Sequence, residues 1–371
     1  MYGGLSGSGV SVRVDQYLPD LVPHDAISDH ARRIHRVLRA AGHDAHLHAA
    51  HVDRSLRRQA SRWQEADPPP PRGGLMLYHA STGSRLAPWL AEQAAGGARL
   101  AVDYHNVTPA RFFDRWDPES AARCRAGREE LKLLASYAPL AVADSAYNEL
   151  ELADSGYERT ATCPLLIDLD AYRQPPDDAS VERLLPEDRG PGSSWLFVGR
   201  IAPNKCQHDV VAAFAVFRRL HDPGARLTLV GGTTSPGYLR AVRRLCAELG
   251  VDAAVTFRSA MPHAQLLAQL QAADVFVCLS QHEGFCVPLV ESMVVGLPIV
   301  ALSASAVPET LASAGVLLGG NDPLLVAEAV AALLADDRRR DALVAAGRRR
   351  AEDFELRRTS RVMLDAIVSA P

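Results

Sequence analysis

The sequence predicts an α/β protein in which two parallel sheets are each flanked by helices. Short apolar runs alternate with longer helical patterns along most of the chain, and that alternation places crossover helices on both faces of a parallel sheet. At 371 residues the chain is too long for one ordinary core and comfortable for two, since domains cluster at roughly 100 to 200 residues. Gln174 to Ser194 is rich in Pro, Asp, Gly and Ser and has no sustained period, the composition of an exposed linker. The expected domains are therefore 1–175 and 176–352, with a terminal helix over 353–371.

In the first half, strands are expected at Val12 to Gln16, Ala45 to Ala49, Gly74 to Tyr78, Leu100 to Tyr104 and Leu140 to Ala143. In the second half they are expected at Trp195 to Gly199, Arg226 to Val230, Ala254 to Phe257, Val275 to Leu279 and Pro298 to Ala301. Helices should begin near Ala26 and Gln207, and a last amphipathic one should run around Phe354 to Ile367, with Phe354, Val362, Leu364 and Ile367 seeking a partner surface. The Gly3 to Gly9 run reads as a flexible tail and the Pro68 to Pro71 run as a surface loop.

Hydrophobic residues make up 47% and charged residues 23%, a balance that excludes wholesale disorder. A formal net charge of -4 supplies no general field for nucleic acid, so any phosphate binding must be local. The six cysteines form no C-x-x-C pair and sit in apolar segments, as buried thiols do in a reducing compartment. No apolar run approaches the roughly 20 residues that span a bilayer, and no secretory signal pattern opens the chain. A cytoplasmic protein is expected.

The most informative stretch follows the apolar run Val275 to Leu279 and reads Ser280-Gln281-His282-Glu283-Gly284-Phe285-Cys286-Val287-Pro288-Leu289-Val290-Glu291. Pro288 suits a first helical turn, so Gly284 to Val287 should be a tight loop whose free amides point out of a helix start, an anion site. Glu283 on that loop and Glu291 about two turns on can serve two parts of one ligand. Sugar and ribose hydroxyls are natural targets for carboxylates, which accept strong hydrogen bonds.

A second constellation, Trp195-Leu196-Phe197-Val198-Gly199-Arg200 with Lys205, repeats the strand, loop, helix plan. Gly199 allows close backbone approach, Arg200 can grip phosphate oxygens bidentately, and Lys205 adds a compact charge. Together they could hold a diphosphate and stabilise it as it leaves.

With these motifs in order, and with Leu229-Val230-Gly231-Gly232, Ala273 to Val277 and Gly296-Leu297-Pro298-Ile299-Val300, the second half resembles the retaining family-4 glycosyltransferases of the GT-B fold. The resemblance implies two doubly wound Rossmann-like domains facing across a cleft, with the terminal helix crossing back to the first. It implies that Arg200 and Lys205 contact the donor diphosphate, and that Glu283 with the Gly284-Phe285 amides holds the transferred sugar. Glu291 would hold the ribose, and Gly199 and Cys286 would line the donor site. His105, ending Ala101-Val102-Asp103-Tyr104-His105, resembles the family's active-site histidine near the anomeric centre.

The chain departs from the family after its first strand, where Pro23-His24-Asp25 replaces a frequent Gly-Gly turn. Asp25 is expected to cap the following helix, touch the acceptor, or do both. Asp168-Leu169-Asp170 superficially matches a metal-binding D-x-D, but its position before the linker reads as a structural turn. Arg200 and Lys205 would supply the charge that a metal otherwise provides, so no metal and no cofactor is expected. Arg32, Arg33, Arg36 and Arg39 lie at helical spacing, with a solvated face as the default and an anionic membrane or acidic acceptor as the alternative.

The expected activity is transfer of a hexose-type sugar, with retention, from a UDP- or GDP-sugar to a hydroxyl acceptor that is a small molecule or a glycan- or lipid-linked group. Alternatives on the same scaffold are a nucleotide-sugar epimerase or hydrolase, and a non-catalytic sugar-nucleotide-binding partner.

Overall fold

The computed structural model describes residues 11–65, 73–175 and 191–368. The Gly3 to Gly9 run, the Pro68 to Pro71 run and positions 176–190 of the expected linker lie outside the described residues. The chain divides into two compact units, one of Met1–Ala110, Glu119–Ile167 and Phe354–Pro371, the other of Arg111–Pro118 and Asp168–Asp353. This corrects the expected boundary at 175/176, because residues 111–118 and 168–175 belong to the second unit. Packing decides it: Trp116 meets the Tyr238 ring edge-on at 5.5 Å, and the Tyr172 hydroxyl donates to Glu291.

Among the described residues the first unit contains seven parallel strands, β1 (Arg13–Leu21), β2 (Asp44–Val52), β3 (Ser61–Arg62), β4 (Leu75–Ala80), β5 (Arg99–Tyr104), β6 (Leu140–Ala143) and β7 (Thr160–Thr162). Their order is β3-β2-β1-β4-β5-β6-β7, so the winding reverses between β1 and β4. Strands β3 and β7 were not expected; at two and three residues on the sheet edges they carry no apolar run to read.

Helix α1 (Ala26–Ala40) starts as the sequence predicts, with Asp25 Oδ2 accepting from the Ser28 amide at 2.9 Å. Three further helices, α2 (Leu86–Ala95), α3 (Pro118–Ala135) and α4 (Ala146–Asp154), link the later strands. The second unit begins its longer segment with the short α5 (Asp170–Arg173), where Asp170 pairs with Arg173 at 2.8 Å.

Six parallel strands form the second sheet: β8 (Ser194–Val198), β9 (Arg226–Val230), β10 (Val255–Arg258), β11 (Val275–Cys278), β12 (Ile299–Leu302) and β13 (Val316–Leu318). The order β10-β9-β8-β11-β12-β13 repeats the winding of the first sheet, with its reversal between β8 and β11. Edge strand β13 was also not expected. Helices α6 (Gln207–Leu220), α7 (Pro236–Glu248), α8 (His263–Ala272), α9 (Val287–Val295), α10 (Val307–Leu311), α11 (Pro323–Ala335) and α12 (Asp337–Ala351) complete the unit. Trp195 is wholly buried, with Phe214 and Phe217 at 5.6 and 5.0 Å between ring centres.

The terminal helix α13 (Leu356–Val368) belongs to the first unit, where Leu356, Met363 and Ile367 join the core of Val14, Ile34 and Leu38. Val362, expected on the buried face, is 39% exposed, and Met363 takes its place; neighbouring helical positions point about 100° apart. No helix among the described residues is long and apolar enough to cross a membrane.

Gly231 and Gly199 pass close together where β9 and β8 end. Gly231 has φ +152°, and a Cβ there would lie 2.0 Å from the Gly199 carbonyl oxygen. We predict that Gly231→Ala lowers unfolding free energy by about 3 kcal/mol or more, as an unrelievable backbone clash does. Urea denaturation of both proteins measures it, and a loss below about 1 kcal/mol would mean that the backbone can give way.

Candidate functional site

In the second unit, the loops after β8 and β11 flank the reversal of the winding, the position at which open parallel sheets bind ligands. After β8 the chain turns through Gly199 (φ +149°), makes a short 3-10 turn at Pro203–Lys205, and enters α6 through Cys206 in the left-handed region. The Gln281 amide donates to the Asn204 carbonyl at 2.9 Å, and Asn204 Nδ2 returns a bond to the His282 carbonyl at 3.1 Å. The two loops are thus stapled by one main-chain bond and one from the Asn204 side chain, beside which Lys205 Nζ lies 2.5 Å from Glu283 Oε2.

Glu283 is itself fixed from behind. Its amide donates to Ser305 Oγ at 2.8 Å, while Thr310 Oγ1 donates to the Phe285 carbonyl at 2.6 Å. Phe285 is buried and anchors the turn, and Cys286 adopts φ +73° before α9 begins with Pro288 in its first turn and no side-chain cap. Glu291 lies in the second turn of α9, buried, and accepts from the Tyr172 hydroxyl. Arg200 is exposed and makes no ion pair among the described residues.

In the first unit, the carboxyl ends of β4, β5 and β6 gather a buried cluster. His105 Nδ1 lies 2.9 Å from Asp144 Oδ1, and its Nε2 lies 2.9 Å from His79 Nδ1 and 3.4 Å from Asp103 Oδ2. Asp103 Oδ2 is also 3.1 Å from His30 Nε2, and the Leu166 amide donates to His30 Nδ1 at 2.9 Å. Burial disfavours charge on His105, but the carboxylates of Asp103 and Asp144 outweigh it and raise its pKa to about 9. Burial wins at His30, which is pushed down to about 4, and it lifts Asp144 to about 6 against the pull of His105. Burial would raise Asp103 too, yet His105 and His30 hold it well below the usual carboxylate range. At neutral pH the cluster therefore contains two carboxylates and one imidazolium.

Residues 192–350 match the family described as glycosyl transferases group 1. The second unit is a group 1 glycosyl transferase domain. Over 278 residues, the chain is 31% identical to a D-inositol 3-phosphate glycosyltransferase of Thermobispora bispora, a match covering 72% of this chain and 64% of that one. Over 192 residues, it is 34% identical to a GDP-mannose-dependent alpha-(1-6)-phosphatidylinositol monomannoside mannosyltransferase of Mycobacterium tuberculosis, covering 49% of this chain and 48% of that one. The chain spans between 35% and 64% of the length of the curated relatives it matches. Anabaena HepE, solved in complex with UDP and glucose, superimposes with a TM-score of 0.77 at 17% identity, covering 97% of this chain and 100% of that one. A sucrose-phosphate synthase of Thermosynechococcus elongatus gives 0.75 at 21% identity, covering 95% and 97%. The fold is GT-B, with two Rossmann-like domains.

Within the glycosyl transferase domain, the structure places Gly199, Arg200, Lys205, Glu283, Gly284, Phe285 and Cys286 on the loops flanking one sheet reversal, and Glu291 on the helix that follows the second loop. In the first unit Asp25 caps α1, and His105 ends β5 with both ring nitrogens engaged inside the unit. His30 and His79 share the His105 network. Sequence reasoning also missed Asp144, although Ala143-Asp144 ends β6 as Tyr104-His105 ends β5, and the recurrence of polar residues at strand ends was the available signal. Tyr172, Asn204, Ser305 and Thr310 left no such signal, because each acts through a contact remote in sequence.

Three groups of described residues bring possible cation-ligating atoms within 4.8 Å of one another: His30, Asp103, His105; Cys206, His208, Asp209; and Cys278, Glu283, Cys286. Each is already engaged. The first bonds internally, the second reaches Tyr238 and Asn321, and Lys205 closes the third through Glu283.

The cluster makes stability depend on pH with a definite sign. An unfolded histidine titrates near about 6.5. The raised pKa of His105 contributes stability fully present below that value and lost as pH rises through about 9. His30 acts oppositely: its depressed pKa contributes stability present above about 6.5 and lost as pH falls toward 4. Removing the Asp144 charge should flatten the alkaline limb. Thermal melts from pH 7 to 9.5 should show a steeper fall in Tm for the natural protein than for Asp144→Asn, and parallel curves would refute the charged state of His105.

Proposed function

We propose that the protein is a retaining glycosyltransferase that moves a hexose-type sugar from a UDP- or GDP-sugar to a hydroxyl acceptor without a metal. One observation carries the reading: the Lys205–Glu283 pair at the sheet reversal sets a cation and a carboxylate side by side on two stapled loops. A nucleotide-diphosphate sugar needs that pairing, a cation for the diphosphate and a hydrogen-bond acceptor for the ring hydroxyls.

In the proposed reaction the acceptor oxygen bonds to the anomeric carbon as the bond from that carbon to the diphosphate oxygen breaks. The acceptor proton passes to a donor phosphate oxygen on the same face, so configuration is retained. Negative charge grows on the leaving diphosphate, where the exposed Arg200 guanidinium and Lys205 offset it. Glu283 holds the transferred sugar and Glu291 the ribose, with the Gly199 and Gly284–Cys286 backbone close to the donor. The base would meet backbone near the end of β10. His105 is proposed as an active-site histidine, a role that requires it to exchange its hydrogen bond to His79 or Asp144. Several relatives are named for phosphorylated inositol acceptors, which supports a phosphorylated polyol as the acceptor class.

Two measurements test this. In a thermal-shift series with UDP, GDP, ADP and their sugars, one nucleotide should raise Tm, and Lys205→Ala should abolish the shift. With the matching sugar donor and inositol phosphate as acceptor, Lys205→Ala and Glu283→Ala should each lower kcat/KM by about 100-fold or more, and product NMR should show retained configuration. Undiminished transfer by both folded variants would overturn the site. Donor binding without turnover would favour a binding partner over an enzyme.

A further inference from the structure

On the β2 side of the first sheet lies a cavity of about 680 Å³ that plays no part in the proposed transfer. Strand β3 pairs with β2 at His48 and Ala49, so among the described residues the outer edge of β2 from Asp44 to Leu47 has no neighbouring strand. Arg39 at the end of α1, Arg57 and Arg58 after the turn that follows β2, and Arg62 of β3 line the cavity with His46 and His48. All four arginines are exposed, and none has an ion pair or side-chain hydrogen bond among the described residues.

Two carboxylates lie beside lining residues: Asp44 is 2.9 Å from His46, and the buried Asp15 is 3.1 Å from Arg13 and 4.0 Å from His48. The excess positive charge is felt inside. Burial and then the charges of Arg39 and His46 depress the pKa of His35, which also lines the cavity.

His48 separates a site from an ordinary solvated basic face. It is 5% exposed, its Nδ1 lies 3.1 Å from Ser61 Oγ, and its Nε2 makes no hydrogen bond, with Asp15 Oδ1 no nearer than 4.0 Å. That buried nitrogen, 4.0 Å from the Asp15 carboxylate and without a hydrogen bond, can donate to a ligand oxygen. Arginine forks match phosphate oxygens two at a time, and four of them around one hollow repel one another until an anion arrives.

We propose that this cavity binds a phosphate group, as a site separate from the nucleotide-sugar loops of the second unit. The phosphate belongs to a soluble phosphate ester or to a lipid headgroup, whose recognition chemistry is the same.

Calorimetry with inorganic phosphate and pyrophosphate at ionic strength matched with chloride tests the soluble source. Co-sedimentation with phosphatidylglycerol-containing against pure phosphatidylcholine vesicles tests the lipid. Three proteins are compared: the natural chain, R57E/R58E, and R200A/K205A. Binding should weaken at least tenfold in R57E/R58E and persist in R200A/K205A. An independent variant, Arg62→Gln, should weaken it in the same direction, and unliganded melts check that each variant folds. Binding of the soluble anions assigns a phosphate ester, and binding confined to the anionic vesicles assigns a headgroup. The proposal is overturned if neither probe binds, if R57E/R58E leaves binding unchanged, or if R200A/K205A abolishes it. None of these outcomes depends on whether the chain transfers sugar.

Discussion

The ion pair of Lys205 with Glu283 spans 78 positions of sequence and closes the gap between the loops after β8 and β11. Its partners are 16% and 7% exposed, so both have given up most of their water. Such a pair gains little net stability, because desolvation offsets the attraction, yet removing one partner strands a buried charge. The surrounding bonds from Asn204, Ser305 and Thr310 keep the pair in register without leaving its geometry to two flexible side chains. In the proposed reaction a ligand with a diphosphate and a hydroxylated ring would divide the pair's labour between its two ends.

The first unit meets the same problem with different groups. Asp103 and Asp144 would repel each other at the ends of adjacent strands β5 and β6, and a protonated His105 between them offsets that repulsion. His30 and His79 stay neutral and bridge Asp103 to the rest of the core. One net negative charge is thereby spread over five side chains, each fixed by a strand or by α1. Asp25 at the cap of α1 adds to the field that raises His105, so the loop that departs from the family pattern is coupled electrostatically to the cluster.

Much of the fold was legible because period and composition are local. Strands β1 and β2 run on to Leu21 and Val52, past their expected ends at Gln16 and Ala49, but the starts of the central strands, the cap at Asp25, the start of α6 and the turn before α9 were all read within one or two residues. Edge strands β3, β7 and β13 were not, since a strand of two or three residues is defined by its neighbour's hydrogen bonds and not by its own side chains. Val362 was placed on the wrong face of α13 because an amphipathic pattern with few apolar residues tolerates a rotation of one position. The turn from β11 into α9 was legible for another reason: Gly284 and Pro288 just after an apolar run are what a tight loop opening a helix needs.

By itself, then, the sequence determined the alternation of strands and helices, the two sheets, and the strand-loop-helix turns after β8 and β11. Those features follow from interactions between residues near in the chain. Tertiary structure alone decided that Tyr172 serves Glu291, that residues 111–118 belong with the second unit, that His105 shares its charge with Asp103 and Asp144, and that four arginines from three segments border one cavity. Each of these joins side chains far apart in sequence, and their protonation and partners depend on burial, which only the packed core creates.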